Sequence, residues 1–125
     1  MPTYAKDTNV SCAKSRIDIE ATLQRYGADG FAYATAEGKA MIGFQMKGRQ
    51  VKFILPLPLL NEYSMTDSGR KRTEKSQYDA WEQACRQRWR ALLLLIKAKL
   101  EAVECGISVF DQEFLANIVL PDGST

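Results

Sequence analysis

The chain contains no histidine, and this absence removes several kinds of chemistry at once. Histidine is the commonest general base near neutral pH and the commonest metal ligand, and it activates serine and cysteine nucleophiles. The acids Asp18 and Glu20, and likewise Asp111 and Glu113, stand at predicted helix starts, where carboxylates stabilise the helix dipole. The glycine-rich phosphate-binding motifs GxxxxGKS and GxGxxG do not occur. We therefore predict a protein that is not an enzyme and that uses no cofactor or metal.

Long hydrophobic runs are also missing. The apolar run Ala91–Ile96 spans six residues, whereas a membrane span needs roughly 20. The first ten residues, "MPTYAKDTNV", lack the apolar core of a signal peptide. Cys12, Cys85 and Cys105 are odd in number and show no zinc-type spacing, which is typical of reduced thiols. These features predict a cytoplasmic protein that does not contact the membrane.

The composition is that of an ordinary globular domain. The 125 residues are 46% hydrophobic and 26% charged, which fits a single domain over residues 1–125. The net charge of +2 is small. Affinity for a polyanion would therefore have to come from a local cluster of charge.

The first half of the chain predicts a helix followed by a β-meander. Residues 2–14 are compatible with one short edge strand. In "SRIDIEATLQRYG", Ser15 with Asp18 resembles a helix cap, and Gly27 is placed to end the helix. Three apolar-rich runs then lie between Phe31 and Leu55, and the short links "EGK" and "KGR" join them. Links this short connect antiparallel strands.

The second half predicts a long helix. Ser76 with Asp79 marks a start near Gln77, apolar residues recur at helical spacing from Trp81 to Val103, and Gly106 ends the helix. Such a helix would be about 42 Å long. Because this length exceeds a small domain's diameter, we predict a homo-oligomer that pairs through the long helix.

The tail predicts a short helix capped by Asp111 and a strand that ends in "PDG". The predicted order is β-α-β-β-β-α with a small C-terminal αβ appendix. This is an α+β domain with its helices on one face of a three-stranded antiparallel sheet.

Basic residues concentrate before and within the long helix. Residues 61–75 have no apolar period and predict a flexible loop, and residues 70–90 carry a local charge excess of +4. The cluster consists of Arg70, Lys71, Arg72, Lys75, Arg86, Arg88 and Arg90. Guanidinium groups suit phosphate oxygens, and Tyr63 and Tyr78 could stack on unpaired bases. This pattern predicts nucleic-acid binding without sequence specificity.

Two other interpretations of the same cluster stay open. Charge on the outer face of an amphipathic helix is ordinarily only solvated. Arginine and tryptophan are also favoured at protein interfaces. The alternatives are an interaction protein that inhibits a host defence or replication factor, and an oligomeric sponge for nucleotide signals.

Several stretches resemble a family of small uncharacterised proteins of bacteria, phages and prophages. They are "YGADGFAY", "VKFILPLP", "WEQACRQRWRALLLLIKAKLEAVECGI" and "FDQEFLANIVLPDG". The resemblance implies a phage-type protein but no defined activity. The α-β-β-β-α order also resembles that of double-stranded-RNA-binding domains, and phage single-strand annealing proteins likewise set a meander beside a long helix. These are likenesses of architecture alone.

Overall fold

The computed structural model describes residues 11–125 and confirms the α+β class, with a helix, a three-stranded meander and a long helix in that order. The helices and strands are α1 (Cys12–Arg25), β1 (Asp29–Ala36), β2 (Lys39–Met46), β3 (Arg49–Pro56), α2 (Glu74–Glu104) and α3 (Phe110–Glu113). Of the edge strand predicted over residues 2–14, residues 2–10 lie outside the described residues. Residues 12–14 belong to α1, so a strand there is wrong.

Helix α1 has its N-cap four residues earlier than predicted. Its N-cap is Ser11, whose hydroxyl accepts a hydrogen bond from the Lys14 N–H. Ser15, the predicted cap, is fully buried on the helical face that also buries Ile19. The Ser15 cap is therefore wrong. Gly27 ends the helix as predicted, with φ +95° and its N–H donating to the Gln24 carbonyl.

The meander is antiparallel in the order β1-β2-β3, as predicted. Gly38 and Gly48 take positive φ in the two links. Alternation along β2 and β3 turns one face of the sheet to the core, where Phe44 and Phe53 stack. Strand β1 forms one edge of the sheet, and most of its residues are exposed.

Helix α2 has 31 residues and begins at Glu74, earlier than predicted. Thr73 caps it by accepting from the Ser76 N–H, so the predicted Ser76 cap is wrong. The predicted apolar stripe is confirmed, and its buried members include Trp89, Ile96 and Leu100. Gly106 follows the helix with φ +81°.

Helices α1 and α2 cover the same face of the sheet and run parallel. Asp18 pairs with Arg90 midway along both helices, and Tyr26 donates to Glu101 near their C-terminal ends. Within residues 11–125, no helix is both long and apolar enough to cross a membrane.

The C-terminal segment differs from the prediction. Helix α3 is preceded by Val109, which makes no side-chain cap, so the Asp111 cap is wrong. Asp111 instead pairs with Arg49 at the start of β3. The predicted strand is reduced to one bridge between Ile118 and Val51. Phe114 anchors this segment because its fully buried ring packs edge-on against the core phenylalanines.

Candidate nucleic-acid interface

The segment before α2, predicted as a flexible loop, forms a small hairpin over residues 64–72. The Thr66 N–H donates to the Arg70 carbonyl at 2.7 Å, and the Arg72 N–H donates to the Ser64 carbonyl at 2.8 Å. The Thr66 hydroxyl accepts from the Arg70 N–H. Gly69, with φ +88°, allows the tight turn at the tip. We call residues 64–72 the basic hairpin.

The connection that leads from β3 to the basic hairpin is held against the first turns of α2. Gln77 Nε2 donates to the Leu60 carbonyl at 2.9 Å. Trp81 Nε1 donates to the Pro58 carbonyl at 2.7 Å. The half-buried Trp81, predicted as part of the core stripe, therefore has a second role in fixing this connection.

Arg70 and Lys71 are exposed on the basic hairpin. Their backbone is ordered by the Thr66 bonds and by the bridge between Met65 and Lys71. In the part of the chain that the structure describes, neither side chain makes a hydrogen bond or an ion pair. Both charges are therefore available to an external anion.

Arg72 and Lys75 lie beside this pair but are engaged locally. Arg72 donates from Nε to the Met65 carbonyl and from Nη1 to the Ser76 hydroxyl, each at 3.4 Å. Lys75 pairs with Asp79 one turn along α2 at 2.8 Å, although 86% of its side chain remains exposed. Such exposed pairs are weak, so Lys75 can turn toward an anion at small cost.

Arg86 and Arg90 lie on the other side of α2, toward α1. Arg90 donates to the Asp18 carboxylate at 3.0 Å, and only 29% of its side chain is exposed. Arg86 is held by Glu82 and Gln83 on its own helix. The structure therefore separates these two predicted ligands from the basic hairpin and engages both in ion pairs within the chain, while the buried Nε of Arg86 makes no hydrogen bond in residues 11–125.

Arg88 joins the hairpin side of the molecule. Its Nη1 donates to the Pro56 carbonyl at 3.0 Å, at the end of β3. Pro56 is opposite Lys39 in the sheet, so the backbone of Lys39 lies beside the strand end that Arg88 contacts. Burial raises the pKa of Tyr63, and Arg88 acts in the opposite direction, which places Arg88 near Tyr63.

Lys52 and the predicted stacking residue Tyr78 each contact another part of the chain. Lys52 donates to the Gly123 carbonyl at 2.9 Å, so it lies against the C-terminal segment rather than the basic hairpin. Tyr78 is 49% exposed, and its ring centroid lies 5.6 Å from that of Trp81. Of the two candidate stacking side chains, Tyr78 has the larger free surface.

The cysteine beside the arginines is not a reactive site. Cys85 is buried, and this burial raises the pKa of its thiol to about 11. A thiol with so high a pKa is almost wholly protonated at neutral pH and is a poor nucleophile. Among residues 11–125, no cluster of acids or cysteines could hold a metal ion.

Lys39 is an exposed cation that the sequence did not assign to the basic surface. Its backbone lies beside Pro56, whose carbonyl accepts from Arg88, because β2 pairs with β3 in this register. No local pattern around Lys39 indicates this position. No family model, curated protein or solved structure matches the chain.

Proposed function

We propose that this protein binds nucleic acid through the phosphate backbone, without sequence specificity and without catalysis. The observation that supports the proposal is the pair of exposed side chains, Arg70 and Lys71, presented by an ordered hairpin with no partner of their own in residues 11–125. An ordered loop loses less conformational entropy on binding than a flexible one.

The surroundings of the pair favour an anion. Lys75 lies in the first turn of α2, just after the basic hairpin, and Arg88 lies near Tyr63, the residue before the hairpin. The first turn of α2 follows the hairpin directly, and the N-terminal end of a 31-residue helix carries partial positive charge. Backbone phosphates are the polyanion that such a surface, built from point charges rather than shaped pockets, recognises.

Arg86 and Arg90 belong to the same proposal with a smaller contribution. A phosphate would have to displace Asp18 from Arg90 and Glu82 from Arg86. We therefore expect most of the binding to come from the hairpin side.

The architecture supports duplexes as the first probe. Two parallel helices on one face of a three-stranded meander are the order that double-stranded-RNA-binding domains use, and those domains read duplex shape rather than sequence. The origin in a phage or prophage and the pairing of copies through α2 stay predictions.

Fluorescence anisotropy with labelled RNA and DNA duplexes of roughly 20 base pairs, at about 50 and 200 mM salt, tests the proposal. We expect affinity to fall steeply with salt. The double variant Arg70→Ala/Lys71→Ala should lower the salt slope by about 2, because each lost phosphate contact removes about 0.9.

The matched control is Arg25→Ala/Lys97→Ala, which removes the same charge from exposed positions elsewhere. It should leave the slope nearly unchanged. Absence of binding at the lower salt concentration, or an equal effect of the two double variants, would reject the proposal.

A further inference from the structure

A groove of about 300 Å³ lies between α1 and the edge strand β1. Its walls are largely apolar. Ile17 and Leu23 line it from α1, and Phe31 and Tyr33 line it from β1. Ile17 is 65% exposed and Tyr33 is 59% exposed, so the apolar surface is open to a partner.

One cation, Arg16, lines this groove. Its guanidinium carbon lies 5.1 Å from the centre of the Tyr33 ring and 5.5 Å from that of Trp89, and the two aromatic rings position it. In residues 11–125 no carboxylate pairs with it, although Glu20 lines the same groove one turn further along α1. The groove therefore holds a positioned guanidinium that forms no ion pair, although one carboxylate lies further along its wall.

The strand beside the groove is an open edge. In the described range, β2 is the only strand that pairs with β1. From Gly30 to Ala36, β1 carries no charged residue and no proline, two of the features that block pairing at a sheet edge, and its irregular register against β2 is confined to the stretch between Asp29 and Ala32. Ala32, Ala34 and Thr35 are exposed along it. An extended chain can therefore approach this edge.

We propose that the groove binds an extended peptide that pairs with β1 as a fourth strand and directs an acidic side chain at Arg16. Main-chain hydrogen bonds to the free edge would supply affinity, and alternate side chains would enter the groove. Apolar side chains of the peptide fit the surface of Ile17 and Phe31, and a carboxylate of the peptide can form the ion pair that Arg16 lacks. The partner is thus an extended protein segment in which every second side chain faces the groove. These side chains are apolar except for one, which is acidic.

This site is independent of the proposed nucleic-acid surface. The groove is lined mainly by α1 and β1, whereas the basic hairpin contacts the start of α2, where Arg72 donates to the Ser76 hydroxyl. Failure of one proposal leaves the other standing.

The test uses three short peptides in which valine and threonine alternate, with glutamate, glutamine or lysine at one central valine position. Binding to the full chain is measured by NMR titration. We expect the glutamate peptide to bind about fivefold more tightly than the glutamine peptide, with the lysine peptide weakest. The amide signals of residues 31–36 should shift. Arg16→Glu should reverse the order of the glutamate and lysine peptides.

Arg16 also contacts Trp89, so a second variant protects the test against loss of folding. Ile17→Ala removes only an exposed apolar side chain and should weaken all three peptides alike. Arg70→Ala/Lys71→Ala should bind them as the unaltered protein does. Equal binding of the glutamate and lysine peptides to the unaltered protein would overturn the proposal. Octanoate, an apolar carboxylate without a peptide backbone, is tested in parallel. The proposal would also be overturned if octanoate bound at Arg16 while no peptide shifted the amide signals of β1.

Discussion

Arg90 on α2 donates to the Asp18 carboxylate on α1 at 3.0 Å, and the same carboxylate accepts from Lys14 at 2.8 Å. One of the arginines predicted to bind phosphate is thus engaged in holding the two parallel helices together. The hydrogen bond from Lys14 lowers the pKa of Asp18 below its ordinary value of 3.8, and the hydrogen bond from Arg90 lowers it further.

This ion pair predicts a loss of stability in acid. Because the folded protein has the lower pKa, the unfolded chain takes up the proton more readily. The stabilisation by Asp18 is present above pH 3.8 and is lost as the pH falls through the folded-state value. In urea unfolding, Asp18→Asn should be less stable than the unaltered protein at pH 7 and should lose less stability in acid.

Glu20→Gln is the control for this prediction. It removes a negative charge from the same helix at a position that forms no ion pair within residues 11–125. It should keep the stability at pH 7 near that of the unaltered protein. An equal loss in both variants would show that charge, and not the bond to Arg90, matters.

The core stripe of α2 predicts a sharp contrast between adjacent residues. Ile96 is fully buried, whereas Leu95 is 48% exposed. Ile96→Ala should lower the free energy of unfolding by about 2–5 kcal/mol, because it removes transfer energy and leaves a cavity. Leu95→Ala should change it by about 0.5 kcal/mol or less, as for other surface positions. A large effect at Leu95 would instead indicate that this side chain is covered in an oligomer.

The cysteines should react in the order of their exposure. Cys105 is exposed, and Cys85 is buried with a thiol pKa of about 11. At pH 8, a thiol with a pKa of about 11 has a thiolate fraction about a hundredfold smaller than a thiol with a pKa of about 9. Mass spectrometry after iodoacetamide treatment should show Cys105 modified first and Cys85 modified only in urea. Equally fast native labelling of both would contradict the buried position of Cys85.

The turn of the basic hairpin depends on Gly69. Its φ of +88° is unfavourable for a residue with a Cβ. Gly69→Ala should cost about 1 kcal/mol locally, which corresponds to about fivefold faster amide exchange at Thr66. Asp67→Ala, two residues earlier at a position without positive φ, is the control and should leave the exchange unchanged. Unaltered exchange in both variants would mean that the hairpin is not closed in solution.

Local patterns in the sequence predicted the three strands of the meander and the two longer helices, but not the first residues of those helices. Ser11 and Ser15 can each cap α1 by residue type, and Thr73 and Ser76 can each cap α2. Packing decided between them. Ser15 is buried on the side of α1 that joins the core, and a cap must face the open helix end, so Ser11 takes that position.

The candidate site was predicted less completely than the fold. The hairpin residues 64–72 contain no apolar period, and their order comes from backbone hydrogen bonds and from contacts between the connection at Pro58–Leu60 and α2. The groove beside β1 was not predicted at all. Arg16 looks like any surface cation in sequence, and only the fold places it over Tyr33 and Trp89.

The sequence by itself determined that a meander would be followed by a long amphipathic helix, because periods of two and of 3.6 residues express local geometry. It also placed the charge excess in residues 70–90. Only the tertiary structure decided which of those charges are free. Arg90 bonds to Asp18, which lies 72 residues away in sequence, and Arg88 bonds to Pro56, which lies 32 residues away. Arg70 and Lys71 instead project from a hairpin whose backbone hydrogen bonds are local. Partners so distant in the chain meet only when the helices pack on the sheet, so availability for binding is a property of the fold.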